Sequence, residues 1–153
     1  MPAKTKKIIL FSIVFIVVIA AVAGYRMYNK KHFDVAGATP AAIVSAEVLH
    51  QTFVADSGIA KNRYIGDESN HKVVQVTGII NEVIKNQLQQ TVVKLKTNTA
   101  GAYINCEMEG TITPDIAAGK KIILKGICDG YLFEADLGIP GDVNFKRCFI
   151  IKE

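Results

Sequence analysis

The chain has 153 residues, of which 50% are hydrophobic and 21% are charged, and its formal net charge at pH 7 is +4. Residues 1–31 hold six Lys or Arg and no acidic residue, whereas residues 32–153 hold twelve basic and fourteen acidic residues, a net charge of −2. Domains that bind nucleic acids normally carry a basic patch or stripe, so this charge distribution disfavours nucleic acid as a partner of the larger part.

The N-terminal part contains an apolar run, residues 8–24, in which no residue is charged and Ser12 is the only hydroxyl. At about 1.5 Å per residue this run is slightly short for a hydrocarbon core of about 30 Å, so flanking Lys and Tyr residues must complete a crossing. We predict a basic tail over residues 1–7, a transmembrane anchor over residues 8–28 and a linker over residues 29–42.

A cleaved signal peptide is the alternative interpretation of this segment, with Ala21-Val22-Ala23 as the small-residue cleavage site. Basic residues flank both ends of the apolar run, so the positive-inside rule gives little preference for orientation. Because a short N-terminal tail usually stays in the cytoplasm, we expect a single-pass membrane protein of bacterial type. Its C-terminal domain is expected to be extracytoplasmic, in the periplasm.

Residues 43–153 have the length of one domain and begin with a helical pattern. Ser45 is a suitable N-cap, Glu47 lies in the first turn, where the helix dipole favours an acid, and Gly58 is the expected break. Spacings of four, seven and four predict one buried helical face, formed by Leu49, Phe53, Ala60 and Tyr64.

The pattern then changes to β-branched residues and alternation, which predicts five strands. They cover residues 72–84, 91–97, 103–108, 121–128 and 143–152. Gly78 and Gly126 lie within strands, where glycine often marks a bulge or a bend. A helical turn is predicted from Thr113-Pro114-Asp115 to Gly119, and residues 137–142 are predicted to form the last turn.

These elements predict a mainly β fold, a five-stranded OB-fold β-barrel preceded by an α-helical segment, in addition to the N-terminal transmembrane helix. Structural glycines, apolar alternation and cysteines mark the stretch from Ser45 to Lys152: Tyr64, Val76-Thr77-Gly78, Thr91-Val92-Val93, Lys125-Gly126-Ile127-Cys128, Gly130-Tyr131 and Cys148. In these features the chain resembles the tRNA-anti-like family of bacterial OB-fold domains. The resemblance implies the fold and a place behind a membrane segment or lipoprotein signal, but it supplies no catalytic signature and no ligand.

The three cysteines, Cys106, Cys128 and Cys148, are too widely spaced for a CxxC metal or redox motif. Cys128 and Cys148 are symmetric about Gly138 in the sequence, so a hairpin centred there would place them opposite each other. A disulfide between them would contribute roughly 2–4 kcal/mol. The alternative is that all three are small buried apolar residues.

The sequence shows no motif for catalysis, metal binding or a cofactor. The histidines His32, His50 and His71 lack the spacing of metal ligands, and no nucleophile or phosphate-loop motif is present. Glu107 and Glu109 flank one strand residue and share a face. Carboxylate pairs can act in acid–base catalysis, but on an exposed strand they are usually solvated surface. We therefore expect no enzyme, no cofactor and no metal site.

OB-folds commonly bind ligands on the outer face of their second and third strands. Alternation and the position of the fourth strand give five candidate ligand-binding residues: Lys94, Lys96, Tyr103, Asn105 and Tyr131. Stacking of single-stranded bases, worth about 1–3 kcal/mol each, needs several aromatic rings in a basic groove, which this face lacks.

We expect a membrane-anchored binding or interaction module for an unknown protein, peptide or glycan. Binding of single-stranded nucleic acid by OB-fold analogy is the alternative. A structural interpretation also remains open, in which Tyr103 and Tyr131 only cover the barrel.

Overall fold

The computed structural model describes residues 3–28, 33–67, 70–110, 116–134 and 139–152. The chain divides into two compact units, Met1–Phe33 and Asp34–Glu153. The described part of the first unit contains helix α1, Ala3–Tyr28, so the predicted tail is helical from Ala3 onward. The predicted crossing over residues 8–28 is not found: none of the helices in the described residues is both long and apolar enough to cross a membrane.

The second unit combines two helices with six strands in its described residues. In chain order they are β1 (Ala42–Ser45), α2 (Ala46–Ala55), α3 (Ser57–Tyr64), β2 (Val73–Lys85), β3 (Thr91–Lys96), β4 (Tyr103–Met108), β5 (Lys121–Glu134) and β6 (Ile139–Lys152). The strand order is β1-β2-β3-β4-β6-β5, and an additional β2–β5 pairing closes a barrel of five strands. Pairing is antiparallel around this barrel except between β4 and β6, which are parallel. The predicted OB-like barrel is confirmed.

A sixth strand, β1, was not predicted from the sequence. It pairs in parallel with β2, from Ala42 opposite Val74 to Ser45 opposite Thr77. A strand of four residues is too short for alternation to reveal, and its position depends on β2, which is distant in the sequence. The second half of the predicted linker also packs on the barrel, because Val35 is buried in a small cluster with Val73 and Ile127.

The two helices begin at polar N-caps. Ser45 is the N-cap of α2, as predicted, and its Oγ accepts a hydrogen bond from the Val48 amide at 3.3 Å. The break between the helices is at Asp56 instead of Gly58, because Asp56 is extended and its Oδ1 caps α3 by accepting from the Ile59 amide at 2.9 Å. A side chain that can cap decided the position of the break, whereas glycine only permits one.

The helical face predicted to be buried lies in the main core. Its four residues are each at most 1% exposed: Leu49, Phe53, Ala60 and Tyr64. Helix α2 contacts β1, β2, β3, β4 and β6, so it lies across one end of the barrel. The apolar stripe of α2 is therefore the surface that closes the barrel interior.

Gly78 lies where β2 changes partner, which explains the predicted bend. Residues up to Ile79 pair with β5. Pairing with β3 begins at Ile80, and a bulge follows between Ile80 and Glu82. A Cβ at Gly78 would lie 3.0 Å from Leu95 Cδ1 and 3.1 Å from Ala46 Cβ. The absence of a side chain lets the helix and the third strand approach the bend closely.

The hairpin of β5 and β6 is longer than predicted, and its register is different. Glu134 pairs with Ile139, so residues 139–142 belong to β6 instead of the predicted turn, and Cys128 faces Phe145 instead of Cys148. All three cysteines are free and buried. The geometric basis for the Cys128–Cys148 disulfide is therefore wrong, because the hairpin is not centred on Gly138 and bulges shift its register. The predicted turn at Thr113-Pro114-Asp115 lies outside the described residues.

Candidate ligand-binding site

A row of polar side chains crosses four strands on the outside of the barrel. The pairing aligns Glu82 on β2 with Lys94 on β3, Lys94 with Asn105 on β4, and Asn105 with Asn144 on β6. Neighbouring residues on β3 and β4 alternate as predicted: Val93, Leu95, Ile104 and Cys106 are buried, while Lys94 and Asn105 are partly exposed. The alternation turns every second side chain outward, so the row forms one continuous polar surface.

A groove of about 370 Å³ lies along this row. We call it the outer groove, and it is lined by Ile84, Asn86, Val92, Lys94, Asn105, Glu107, Asp129, Asn144, Phe145 and Lys146. It therefore combines three carboxamides, two lysines and two carboxylates with apolar side chains. The described residues that line it include no histidine, serine or cysteine.

Both lysines of the outer groove contact carboxylates. Lys94 Nζ lies 2.8 Å from Glu82 Oε1 and 5.4 Å from the centroid of the Tyr103 ring. Lys146 Nζ forms an ion pair with Asp129. These pairs are partly exposed, so they contribute little to stability, but they neutralise the positive charge that an anionic ligand would need.

Asn105 is the central residue of a polar network between β4 and β6. Its Nδ2 donates to Asp142 Oδ2 and to Asn144 Oδ1, each at 3.0 Å, and Asp142 Oδ1 accepts from the Tyr103 amide at 2.8 Å. The other end of the carboxamide, Asn105 Oδ1, is buried and has no hydrogen-bond partner within the described part of the chain. An orphaned buried acceptor is costly unless a ligand or water supplies a donor.

The structure separates the five predicted ligand-binding residues. Lys94 and Asn105 line the outer groove, and Tyr103 lies beside them under the Lys94 ammonium group. Lys96 is exposed at the end of β3, opposite Tyr103, but does not line the groove. Tyr131 is elsewhere, packed against the main core.

Tyr131 is part of an aromatic cluster with α2. Its ring stacks on Phe53 at a centroid distance of 5.5 Å and meets the edge of His50 at 6.1 Å. His50 is fully buried, and its Nε2 lies 2.9 Å from the Gly141 carbonyl oxygen, to which it must donate. These contacts give Tyr131 and His50 structural roles. No group of three metal-ligating side chains that could hold an ion occurs within the described residues.

Three groove residues from the last two strands were not predicted from the sequence: Asp129, Asn144 and Lys146. They reach the site because β6 pairs in parallel with β4 and places Asn144 opposite Asn105. The alternation of Asn144 between buried Val143 and Phe145 was the available signal, but the neighbour of β6 could not be read from the pattern.

The three thiols lie in the barrel core and are poor nucleophiles. Burial raises the pKa of Cys128 to about 12. Burial, with a smaller effect from the adjacent Cys106, raises the pKa of Cys148 well above its ordinary value. Because the thiolate is the reactive form, these cysteines should react slowly in the folded protein.

Comparison with known proteins gives a family match and likenesses to solved structures. A family model described as tRNA_anti-like matches residues 1–137. The chain is similar to Entamoeba histolytica asparaginyl-tRNA synthetase in complex with asparaginyl-adenylate, with 15% identity and a TM-score of 0.35 over 55% of this chain and 21% of that chain. It is also similar to a Leishmania major Friedlin protein described as an aspartyl-tRNA synthetase, with 9% identity and a TM-score of 0.37 over 87% of this chain and 26% of that chain.

The chain thus spans between a fifth and about a quarter of the two synthetase chains. No curated protein matches it.

Proposed function

Because the chain belongs to the tRNA_anti-like family, we propose that it is a non-enzymatic OB-fold binding module whose partner, a protein, peptide or glycan, lies in the outer groove. The observation that carries this proposal is the unpartnered Asn105 Oδ1 beneath a groove of about 370 Å³. The groove residues include hydrogen-bonding groups and apolar side chains, the composition of a binding surface. Its cations are paired with carboxylates, and its described lining includes no serine, cysteine or histidine.

The charge of the site opposes the alternative, binding of single-stranded nucleic acid. The groove and its direct partners contain four acidic and two basic side chains: Glu82, Glu107, Asp129, Asp142, Lys94 and Lys146. Proteins that bind nucleic acid offer an excess of cations to the phosphates. A surface with a formal charge of −2 would repel them.

We also propose that the protein is attached to a membrane and that its OB-fold domain lies on the extracytoplasmic side. This location is supported by the uncharged run of residues 8–24 and by the exposure of those apolar side chains of α1 that the structure describes, of which Phe15 and Ile16 are each 64% accessible. A large exposed apolar surface usually marks contact with a membrane or another protein.

The buried native thiols allow this location to be tested by labelling. In intact bacterial cells producing the full chain, we expect a membrane-impermeant maleimide to label the variant Gln51→Cys, because Gln51 is exposed on α2. The unsubstituted chain should remain unlabelled, because its three cysteines are buried. Labelling of the variant only after permeabilisation would place the domain in the cytoplasm, and release of the chain by alkaline carbonate would contradict attachment to the membrane.

Photo-crosslinking tests whether the outer groove is the binding surface. Ile84 lines the groove and is 38% exposed, whereas Ile59 on α3 lies outside it and is 62% exposed. With p-benzoylphenylalanine at either position of the full chain, irradiation of cells should give adducts at position 84 that are at least fivefold more abundant than at position 59.

Equal adducts at positions 59 and 84, or none at position 84, would contradict the proposal. If nuclease treatment reduces the size of the adduct at position 84, the bound partner is a nucleic acid, as in the alternative. An adduct that resists nuclease supports the proposed partner classes. The two positions carry the same native residue, so the comparison controls for loss of an isoleucine side chain.

A further inference from the structure

We infer that the outer groove recognises an uncharged saccharide through its hydroxyl groups, and this inference rests on the function proposed above. A saccharide is one of the three partner classes proposed for this groove.

The orientation of the Asn105 carboxamide is determined by its neighbours. Asp142 Oδ2 and Asn144 Oδ1, both acceptors, lie 3.0 Å from Nδ2. Rotating the carboxamide by half a turn would place Oδ1 against these two oxygens, which is repulsive. Oδ1 must therefore face away from them, where it is buried and has no donor within the described residues; a hydroxyl or water can supply the missing hydrogen bond.

Asn144 supplies the complementary group. Its Oδ1 is occupied by Asn105 Nδ2, while no hydrogen bond within the described residues occupies its Nδ2. Among the described residues, the adjacent pair therefore leaves one acceptor, the buried Asn105 Oδ1, and one donor, Asn144 Nδ2, without a hydrogen-bond partner. A hydroxyl group both donates and accepts, so neighbouring hydroxyls of a sugar ring can satisfy both. A phosphate oxygen only accepts and leaves Asn105 Oδ1 without a donor.

The charged groups of the groove favour a neutral ligand. Lys94 is paired with Glu82 at 2.8 Å, and Lys146 is paired with Asp129. An anionic ligand would have to compete with these carboxylates for the lysines. Glu107, the remaining carboxyl group of the lining, adds acceptor oxygens, which sugar hydroxyls can use without bringing charge.

Closure of the barrel makes an extended peptide a poorer occupant. At Lys94, Asn105 and Asn144, the strands β3, β4 and β6 pair with a neighbour on both sides, so the centre of the groove offers no free strand edge. Peptides that bind by strand addition gain their affinity from main-chain hydrogen bonds to such an edge. On this surface, recognition must come from side chains, and carboxamides and carboxylates on a sheet suit a ligand with many hydroxyls.

The inference is tested by saturation-transfer NMR on the full chain in a polyoxyethylene detergent, whose headgroup contains no sugar. The probes are cellotetraose, maltotetraose and the tetramer of β-1,4-linked N-acetylglucosamine, with an uncharged Gly-Ser-Asn peptide and an oligothymidylate for comparison. We expect transfer to the ring protons of at least one saccharide and not to the peptide or oligonucleotide. Asn144→Ala should weaken that binding about tenfold, as loss of one to two hydrogen bonds does.

Two variants make the result specific to the groove. Asn62→Ala removes the same side chain from an exposed position on α3 and should leave saccharide binding unchanged. Asn144→Asp keeps an oxygen for Asn105 but removes the free donor, so it should weaken binding even if Asn144→Ala disturbs the strand. Equal binding by wild type, Asn144→Ala and Asn144→Asp would overturn the inference.

The outcome separates this inference from the proposed function. If adducts form at position 84 but no saccharide shows saturation transfer, the proposed binding function is retained and the inference of a saccharide ligand is wrong. Loss of both signals would overturn both. Transfer to the peptide or the oligothymidylate that Asn144→Ala abolishes would assign the groove to that class instead.

Discussion

Replacing Phe53 with alanine is expected to lower the free energy of unfolding by about 3–5 kcal/mol, the usual cost of removing a buried aromatic side chain. Phe53 is 1% exposed, stacks on Tyr131 at 5.5 Å and lies 6.1 Å from the Tyr64 ring. These contacts join α2, α3 and β5 at one end of the barrel. The loss should be measured by urea denaturation of the full chain in detergent, followed by far-UV circular dichroism.

The matched control for this substitution is Val54→Ala, one position along the same helix. Val54 is 57% exposed, and surface substitutions usually change stability by no more than about 0.5 kcal/mol. If the two variants unfold at the same urea concentration, Phe53 does not hold the helix on the barrel. A large loss only for Phe53→Ala establishes that the closure of the barrel depends on this aromatic contact.

Replacing Gly126 with alanine is expected to destabilise the protein by about 1–3 kcal/mol, the typical cost of adding a group to a packed core. A Cβ at this position would lie 2.6 Å from Cys148 Sγ and 3.2 Å from Phe145 Cδ1. Cys148 is fully buried, so its side chain has little room to move away. The same denaturation measurement gives the size of the effect.

The double variant Gly126→Ala, Cys148→Ala tests the cause of this loss. Removing Sγ makes space for the new methyl group, so the double variant should be more stable than the sum of the two single effects predicts, by at least about 0.5 kcal/mol. Additive effects would show that the sulfur is not the obstacle. Gly126 lies opposite a bulge of β6, where Lys125 pairs with Phe149 and Ile127 pairs with Lys146, so backbone strain is the competing cause.

Most of the barrel could be predicted from local patterns. The bounds of β4 were predicted to the residue, and the starts of β3 and β5 agree with the structure. The ends of the last hairpin could not be predicted in this way, because residues such as Pro140 and Gly141 lie in a strand although they are typical of turns. The pairing partner stabilised an extended conformation that local preference disfavours.

The candidate site was only half predictable. Lys94 and Asn105 line the groove, as alternation on β3 and β4 turns them outward. Tyr131 was predicted with them but packs against Phe53, a position that depends on the packing of α2. Asn144 and Asp129 were missed because they lie far from Asn105 in the sequence. The unpartnered oxygen of Asn105, on which both proposals depend, exists only because Asp142 and Asn144 orient the carboxamide.

Residues close together in the chain account for the uneven charge, the N-terminal apolar run, the N-cap at Ser45 and the alternation of an OB-like barrel, so each of these could be predicted without the fold. Tertiary structure alone decided the register of the β5–β6 hairpin, the free state of the three cysteines and the composition of the outer groove. These features depend on which strands become neighbours, and the parallel pairing of β4 with β6 brings together residues about forty positions apart. Local patterns contain no information about such a pairing.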